Sequence, residues 1–156
     1  MQATAPSNVL CAFDGSFAIG LLDALAHVQS SGQDCLLIAY DSEYPAPLYQ
    51  CRPIPDAGAI ALLFRAAADT RTDARTLARI SVTLQVAATP PDTLPQATLE
   101  TLRQTIPAFR GLPLLAALSS LPDLLASGNG KSHTVCLDYL EHTRLHVTLT
   151  PAGAGT

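Results

Sequence analysis

The amino-acid sequence predicts an α/β domain in which a buried central helix packs against a mixed sheet. Apolar residues cover nearly every face of residues 16–30, and a helix that is apolar all round is buried rather than laid on a surface. Residues 35–40 form a continuous apolar run, which is typical of a strand covered on both faces. A shorter apolar run at residues 8–13 completes the order strand, helix, strand. That order predicts a βαβ unit with parallel pairing and a right-handed connection.

The central helix has recognisable start and stop signals. A turn and capping cluster lies at residues 14–16, and a serine and a glycine at residues 31–32 close the helix. Gly20 in the middle costs about 1 kcal/mol relative to alanine, so we expect another backbone to pass close to it. The leucines predicted to lie in the core are Leu21, Leu22 and Leu25.

The segments that follow are assigned from periodicity and proline positions. Residues 59–64 form a second apolar strand, and residues 79–87 alternate as a half-exposed strand does. The polar residues 69–78 between them are predicted to be a loop or a short helix. Helical patterns then cover residues 94–109 and 112–126. Three prolines are expected to cut these helices into short pieces: Pro107, Pro113 and Pro122.

The C-terminal region predicts a hairpin. Its strands are residues 134–139 and 144–150, with Glu141 and His142 at the turn. A chain of 156 residues with 48% apolar content fits a single packed core. We therefore predict one domain over residues 1–150 and a frayed tail over residues 151–156.

Composition excludes several classes of function. Only nine residues are Lys or Arg and the net charge is −4, whereas nucleic-acid binding needs a dense cationic face. The longest apolar stretch, residues 17–28, is too short to span a bilayer, so we expect no membrane insertion. The four cysteines form no CxxC pair, which favours reduced thiols in the cytoplasm and predicts neither a metal site nor a cofactor.

The turn at Asp14, Gly15 and Ser16 is the main candidate for chemistry. A strand that turns sharply into a buried helix presents one residue at the helix N-terminus, where free N–H groups favour an anion. Hydrolases place a nucleophile at such a turn, but this sequence lacks their GxSxG pattern. The favoured alternative is that Asp14 or Ser16 simply caps the helix.

No thiol–imidazole pair is evident from the spacing. Cys11 lies in the predicted first strand and His27 about three turns along the helix, which separates them by roughly 15 Å. Buried structural cysteine is therefore the preferred interpretation of Cys11. The same interpretation applies to Cys35 and Cys136, whereas Cys51 lies in a loop with nothing to activate it. Three histidines near the hairpin are expected on the surface: His133, His142 and His146.

Four stretches resemble the β-ketoacyl synthase chain-length-factor-like family, which occurs with aryl-polyene and xanthomonadin-type pigment pathways. They are residues 9–25 (VLCAFDGSFAIGLLDAL), 35–41 (CLLIAYD), 44–48 (YPAPL) and 52–55 (RPIP). The four motifs occur in order at sensible spacings, and the match is closest over residues 8–64. The resemblance implies a thiolase-like fold, specifically the N-terminal half of a ketosynthase.

The resemblance also implies a degenerate nucleophile turn. In active ketosynthases the nucleophilic cysteine stands at the turn into the central helix, which here falls at about Gly15, within one residue. Cys11 comes four residues too early. Neither Asp14 nor Gly15 can form an acyl thioester, and Ser16 is a poor substitute without a base. The two catalytic histidines of ketosynthases belong to a C-terminal half that this chain is expected to lack, so we predict no catalytic residues.

The implied function is a non-catalytic chain-length-factor subunit. It would partner a ketosynthase in polyene, polyketide or fatty-acid-type chain elongation on acyl carrier protein. Pairing is expected through residues 8–13, lying antiparallel across a dyad. Family members carry an upstream segment that this chain is expected to lack, which would leave a sheet edge uncovered. The alternatives are an acyl-transferring or condensing enzyme that uses Ser16 or Cys11, and a generic α/β interaction domain.

Overall fold

The computed structural model describes residues 5–66, 76–86, 88–126 and 132–152, without the side chains of residues 124–126. Two single turns of 3₁₀ helix, Phe13–Gly15 and Pro107–Gly111, each lead directly into an α-helix. The helices are α1 (Ser16–Ser31), α2 (Leu48–Cys51), α3 (Ala97–Thr105) and α4 (Leu112–Ala126). The strands are β1 (Cys35–Asp41), β2 (Gly58–Phe64), β3 (Ala78–Val86), β4 (His133–Leu140) and β5 (Thr143–Pro151).

The described strands form two small antiparallel sheets, so the fold is α/β but the predicted mixed sheet is wrong. β1 pairs with β2, and β5 lies between β3 and β4. The predicted parallel βαβ unit is wrong because its first strand does not form. Residues 6–12 have no regular secondary structure, and Phe13 begins a 3₁₀ turn instead.

Helix α1 confirms the predicted central helix but buries only one side. Its buried positions are Phe17, Ala18, Gly20, Leu21, Ala24 and Val28. Asp23, Ala26 and His27 are exposed, so the expectation of burial on every face is wrong. Leu21 is fully buried, as predicted, whereas Leu22 is only half-buried. The spacing of the buried positions matches one stripe of a 3.6-residue helix.

Gly20 inside α1 and Gly32 at its C-terminal end have different structural roles. A Cβ on Gly20 would lie 3.0 Å from Cδ1 of Leu37, so the close neighbour is a side chain of β1 rather than the expected backbone. Gly32 ends the helix with a φ of 69° and donates its N–H to the carbonyl of Val28. This left-handed glycine is the stop signal that the sequence predicts.

Strand β1 is covered on one face only, which corrects the expectation of burial on both. Leu37 and Ala39 pack against the core beside α1, but Leu36, Ile38 and Tyr40 are 55–74% exposed. The sheet β1–β2 therefore has an inner apolar face and an outer apolar face. A continuous apolar run does not reveal this arrangement, because both faces read alike in the sequence.

The prolines of the second half do not cut α4. Pro107 opens the second 3₁₀ turn, Pro113 is the second residue of α4, and Pro122 lies inside α4 without ending it. Proline at the start of a helix is favoured because the first N–H groups have no intrahelical partner. The predicted helix over residues 94–109 is wrong in extent, since α3 ends at Thr105 and the 3₁₀ turn follows.

The predicted hairpin is confirmed. β4 and β5 pair antiparallel around Glu141 and His142, and β3 extends the sheet on the other side of β5. Its inner face joins α1, β2 and α4 in one hydrophobic core, which includes Val135, Leu145 and Val147. Most of the segment predicted as loop or helix at residues 69–78, and all of the tail beyond Ala152, lie outside the described residues. Within the described ranges, no helix has the length and apolar content needed to cross a bilayer.

Candidate functional site

The turn that precedes α1 is built around a glycine with no room for a side chain. Phe13 adopts a φ of 49° and is 79% exposed, whereas Gly15 is buried. A Cβ on Gly15 would stand 2.7 Å from the backbone carbonyl oxygen of Tyr139 in β4. Real side chains do not approach a carbonyl so closely, so strand β4 leaves no room for a side chain at the position where the family resemblance would put a nucleophile.

Ser16 is occupied by hydrogen bonds to the turn itself. Its hydroxyl donates to the carbonyl of Phe13 at 2.7 Å and accepts from the N–H of Ala12 at 2.8 Å. The first residue of α1 thus stabilises the turn by bonding to the backbone of the residues that precede it. The predicted side-chain cap is wrong, because Gly15 is the N-cap and no side chain bonds the first N–H groups of α1. Among the described residues, the hydrogen-bond partners of the Ser16 hydroxyl are backbone groups and not a base that could activate it.

Asp14 is held in ion pairs on the exposed side of the turn. Its Oδ1 accepts from the guanidinium of Arg52, which also lies 5.9 Å from the centre of the Phe13 ring. The guanidinium of Arg110 approaches the same oxygen at 3.6 Å. Arg52 and Asp14 come from two of the motifs named above, and the structure brings them together. These ion pairs hold the Asp14 carboxylate in position beside the turn.

A network of charged side chains continues from Arg110 into the second half of the chain. Asp138 in β4 lies 3.7 Å from Arg103, 3.7 Å from Arg110 and 3.9 Å from Arg144. Arg103 also donates two hydrogen bonds to Glu100, at 2.6 and 2.8 Å. The hydrogen bond from Arg103 is the main cause that lowers the pKa of Glu100 from 4.5 to about 2. The same bond raises the pKa of Arg103.

A shallow cleft of about 320 Å³ lies beside the turn. Its lining is mostly charged or backbone surface: Asp14, Gly15, Arg110, Asp138, Tyr139, Leu140, Glu141 and Arg144. The Nε atoms of Arg110 and Arg144 are buried and lack a hydrogen-bond partner among the described residues. The carboxylates of Asp14 and Asp138 face these arginines, so each arginine of the cleft is paired with a carboxylate. None of the residues that line it is a cysteine or a histidine.

The cysteines do not converge on the turn. Cys11 is exposed in the irregular segment before Phe13, so the expectation of a buried cysteine in a strand is wrong. His27 is exposed on α1, eleven residues beyond Ser16, a rise of roughly 16 Å. Cys51 is exposed in α2 and Cys35 is half-buried in β1. Among the described residues, neither Ser16 nor Cys11 makes a hydrogen bond to an imidazole.

One thiol–imidazole contact exists elsewhere and was missed in the sequence. Sγ of Cys136 lies 3.9 Å from Nε2 of His146, because these residues face each other across β4 and β5. Burial raises the pKa of Cys136, so the sulfur is a thiol and not a nucleophilic thiolate. A simple hairpin around the turn would oppose Cys136 to Val147. The irregularity between Asp138 and Leu140 shifts the register by one residue, and nothing in the sequence announces that shift.

Comparisons with known proteins add no relationship. Family profiles, curated sequences and solved structures were compared with the chain, and none gives a significant match. Among the described residues, no group of three His, Cys, Asp or Glu side chains is arranged to hold a metal ion. The family resemblance therefore stays a prediction that rests on the motifs of residues 9–55.

Proposed function

We propose that this chain is a non-catalytic, chain-length-factor-like subunit that partners a ketosynthase during chain elongation on acyl carrier protein. The observation that carries the proposal is the closed position at Gly15. The motifs place a ketosynthase nucleophile there, and a Cβ on Gly15 would lie 2.7 Å from the carbonyl oxygen of Tyr139. An active enzyme needs this position open to its substrate, whereas a partner subunit does not.

The neighbouring groups support a structural role for the turn. The Ser16 hydroxyl is bonded to Phe13 and Ala12, and Asp14 is paired with Arg52. A covalent acyl intermediate needs an activated nucleophile with a base within hydrogen-bond reach. In the part of the chain that the structure describes, Ser16 is hydrogen-bonded to backbone groups and to no base. These contacts argue against the alternative enzyme that would use Ser16.

Partner binding is proposed at the apolar segment before the turn. Val9 is 90% exposed, Leu10 is 41% exposed and Phe13 is 79% exposed. Residues 6–12 form no regular secondary structure and make few backbone hydrogen bonds among the described residues. Such a segment can add as a strand to the sheet edge of a partner, because backbone pairing supplies affinity and alternate side chains supply specificity.

An acyl-loading experiment tests the non-catalytic part of the proposal. The chain is incubated with acyl thioesters of acyl carrier protein and of coenzyme A, and its intact mass is measured over time. We expect no stoichiometric acyl adduct, and none in a Gly15→Cys variant either, because its side chain meets Tyr139. Stoichiometric acylation mapped to Ser16 or Cys11 would overturn the proposal.

Cys51 supplies the control for unspecific thiol exchange. Cys11 and Cys51 are both exposed, so slow exchange with a thioester should modify the two thiols at similar rates. Acylation of Cys11 at least ten-fold faster than that of Cys51 would indicate an activated site. Comparable rates, abolished together in a Cys11→Ala, Cys51→Ala double variant, would identify background chemistry.

A further inference from the structure

The outer face of the β1–β2 sheet is an exposed apolar surface that the proposed ketosynthase partnership does not use. Its side chains share one face because they alternate with the inward ones along each strand. The antiparallel register sets them in three rows: Leu36 beside Leu63, Ile38 beside Ala61, and Tyr40 beside Ala59. None of the six is charged, and the ion pair of Asp34 and Arg65 lies just beyond the Leu36–Leu63 row. We name this surface the outer β1–β2 face.

The exposure of this face is large for a small chain. Leu36, Ile38 and Leu63 are 55–58% exposed and Tyr40 is 74% exposed, while Ala59 and Ala61 are also exposed. Together these side chains present on the order of 500 Å², at the upper end of the largest apolar patches of ordinary monomers. Patches of this size commonly mark interaction sites rather than scattered surface residues.

The outer β1–β2 face has a shape that fits its own copy. The β1 side carries the bulky Ile38 and Tyr40, whereas the β2 side beside them carries only Ala61 and Ala59. The face is therefore high over β1 and low over β2 in two of its three rows. A two-fold rotation about an axis parallel to the strands, midway between β1 and β2, places the high β1 side of one copy over the low β2 side of the other. Large residues packed against small ones interdigitate without voids.

Charge and area agree with this arrangement. The six residues of the face are uncharged, and the Asp34–Arg65 ion pair beside them carries no net charge, so like-charge repulsion does not oppose the contact of two copies. Two faces bury roughly 1,000 Å² in total, the size at which specific interfaces begin. Sheets packed face to face also keep their own backbone hydrogen bonds, so association needs no rearrangement.

We propose that two copies of this chain form a two-fold symmetric dimer by packing their outer β1–β2 faces together. An interface of this size predicts a dissociation constant on the order of 10 µM, because area near the lower limit gives a weak complex. The dimer is independent of the segment at residues 6–12 and holds whether or not the chain binds a ketosynthase. Failure of one proposal therefore leaves the other standing.

Sedimentation velocity of the purified full chain, from about 1 to 200 µM, measures the dimer directly. We expect a concentration-dependent shift from monomer to dimer. Ile38→Lys and Ala61→Asp should each weaken association by roughly 100-fold, since each buries a charge against an apolar surface. Leu84→Lys is the matched control, because Leu84 is 49% exposed on β3, outside this face. It should leave the dimer unchanged.

Mixing the two variants distinguishes this geometry from any other. In the two-fold arrangement residue 38 of one copy faces residue 61 of the other, so Ile38→Lys mixed with Ala61→Asp should restore dimers by pairing opposite charges. Circular dichroism verifies that both variants stay folded. A chain that stays monomeric at 200 µM overturns the proposal. That result is expected if a different protein covers the face. Dimers that survive Ile38→Lys, or variants that do not recover on mixing, also overturn it.

Discussion

Replacing Gly15 with alanine should destabilise the chain, although alanine usually stabilises a glycine position. Gly15 has φ and ψ of −82° and −3°, which alanine adopts without strain. On backbone entropy alone the substitution would add about 0.4–1 kcal/mol of stability. The new Cβ, however, would stand 2.7 Å from the carbonyl oxygen of Tyr139, a backbone atom fixed by the hairpin. Overpacking against such a fixed group costs about 1–3 kcal/mol.

The overpacking cost exceeds the entropy gain, so the free energy of unfolding should fall by about 1–2 kcal/mol. Urea unfolding followed by circular dichroism measures it, and at a slope of about 2 kcal/mol per molar the midpoint should fall by roughly 0.5–1 M. Gly32→Asn is the control, because Gly32 has open space around it and asparagine tolerates its positive φ. That variant should unfold close to wild type. A Gly15→Ala midpoint equal to or above wild type would refute the closed position at the turn.

Three further outcomes follow from the core, the charged network and the thiols. Leu21→Ala should lower the free energy of unfolding by about 2–5 kcal/mol because Leu21 is fully buried. In the same urea experiment Leu22→Ala should lower it clearly less, and equal losses would contradict the half-buried position of Leu22. The stabilisation from Glu100, whose pKa is lowered from 4.5 to about 2, is complete above pH 4.5 and is lost as the pH falls toward 2. The free energy of unfolding of Glu100→Gln should therefore fall less than that of wild type over that range. Equal losses in the two proteins would contradict the contact between Glu100 and Arg103. Iodoacetamide at pH 8 should alkylate exposed Cys51 well before buried Cys136, whose pKa is raised; the reverse order by peptide mass mapping would contradict the burial.

Local signals in the sequence predict the positions of the helices and strands better than they predict how the strands pair. The end of α1 at Gly32 and the turn at Glu141 follow from capping and turn chemistry, which acts within a few residues. The start of α1 at Ser16 is predicted as well, but without the side-chain cap that was expected there. The direction of strand pairing does not follow, because an apolar run such as β1 or β2 reads the same in a parallel and an antiparallel sheet. The segment at residues 8–13 has strand composition but lacks a neighbouring strand among the described residues.

The candidate site shows the same division between local and distant contacts. Asp14, Gly15 and Ser16 can be singled out because a turn before an apolar helix is visible in the sequence. The residues that contact them cannot be singled out in this way. Arg52 is 38 residues away from Asp14, and Tyr139 is 124 residues away from Gly15. Arginine pairing with distant carboxylates depends on tertiary structure, and no periodicity encodes it.

The most direct test of the central claim is the product made by a reconstituted ketosynthase with and without this chain. A ketosynthase and an acyl carrier protein of a polyene pathway are supplied with malonyl thioester, and the acyl groups on the carrier protein are measured by mass spectrometry. A non-catalytic partner subunit predicts a changed amount and length distribution of acyl chains when the chain is added, with no acyl adduct on the chain itself. An unchanged distribution at saturating concentrations of the chain, or acylation of the chain during turnover, would contradict the account.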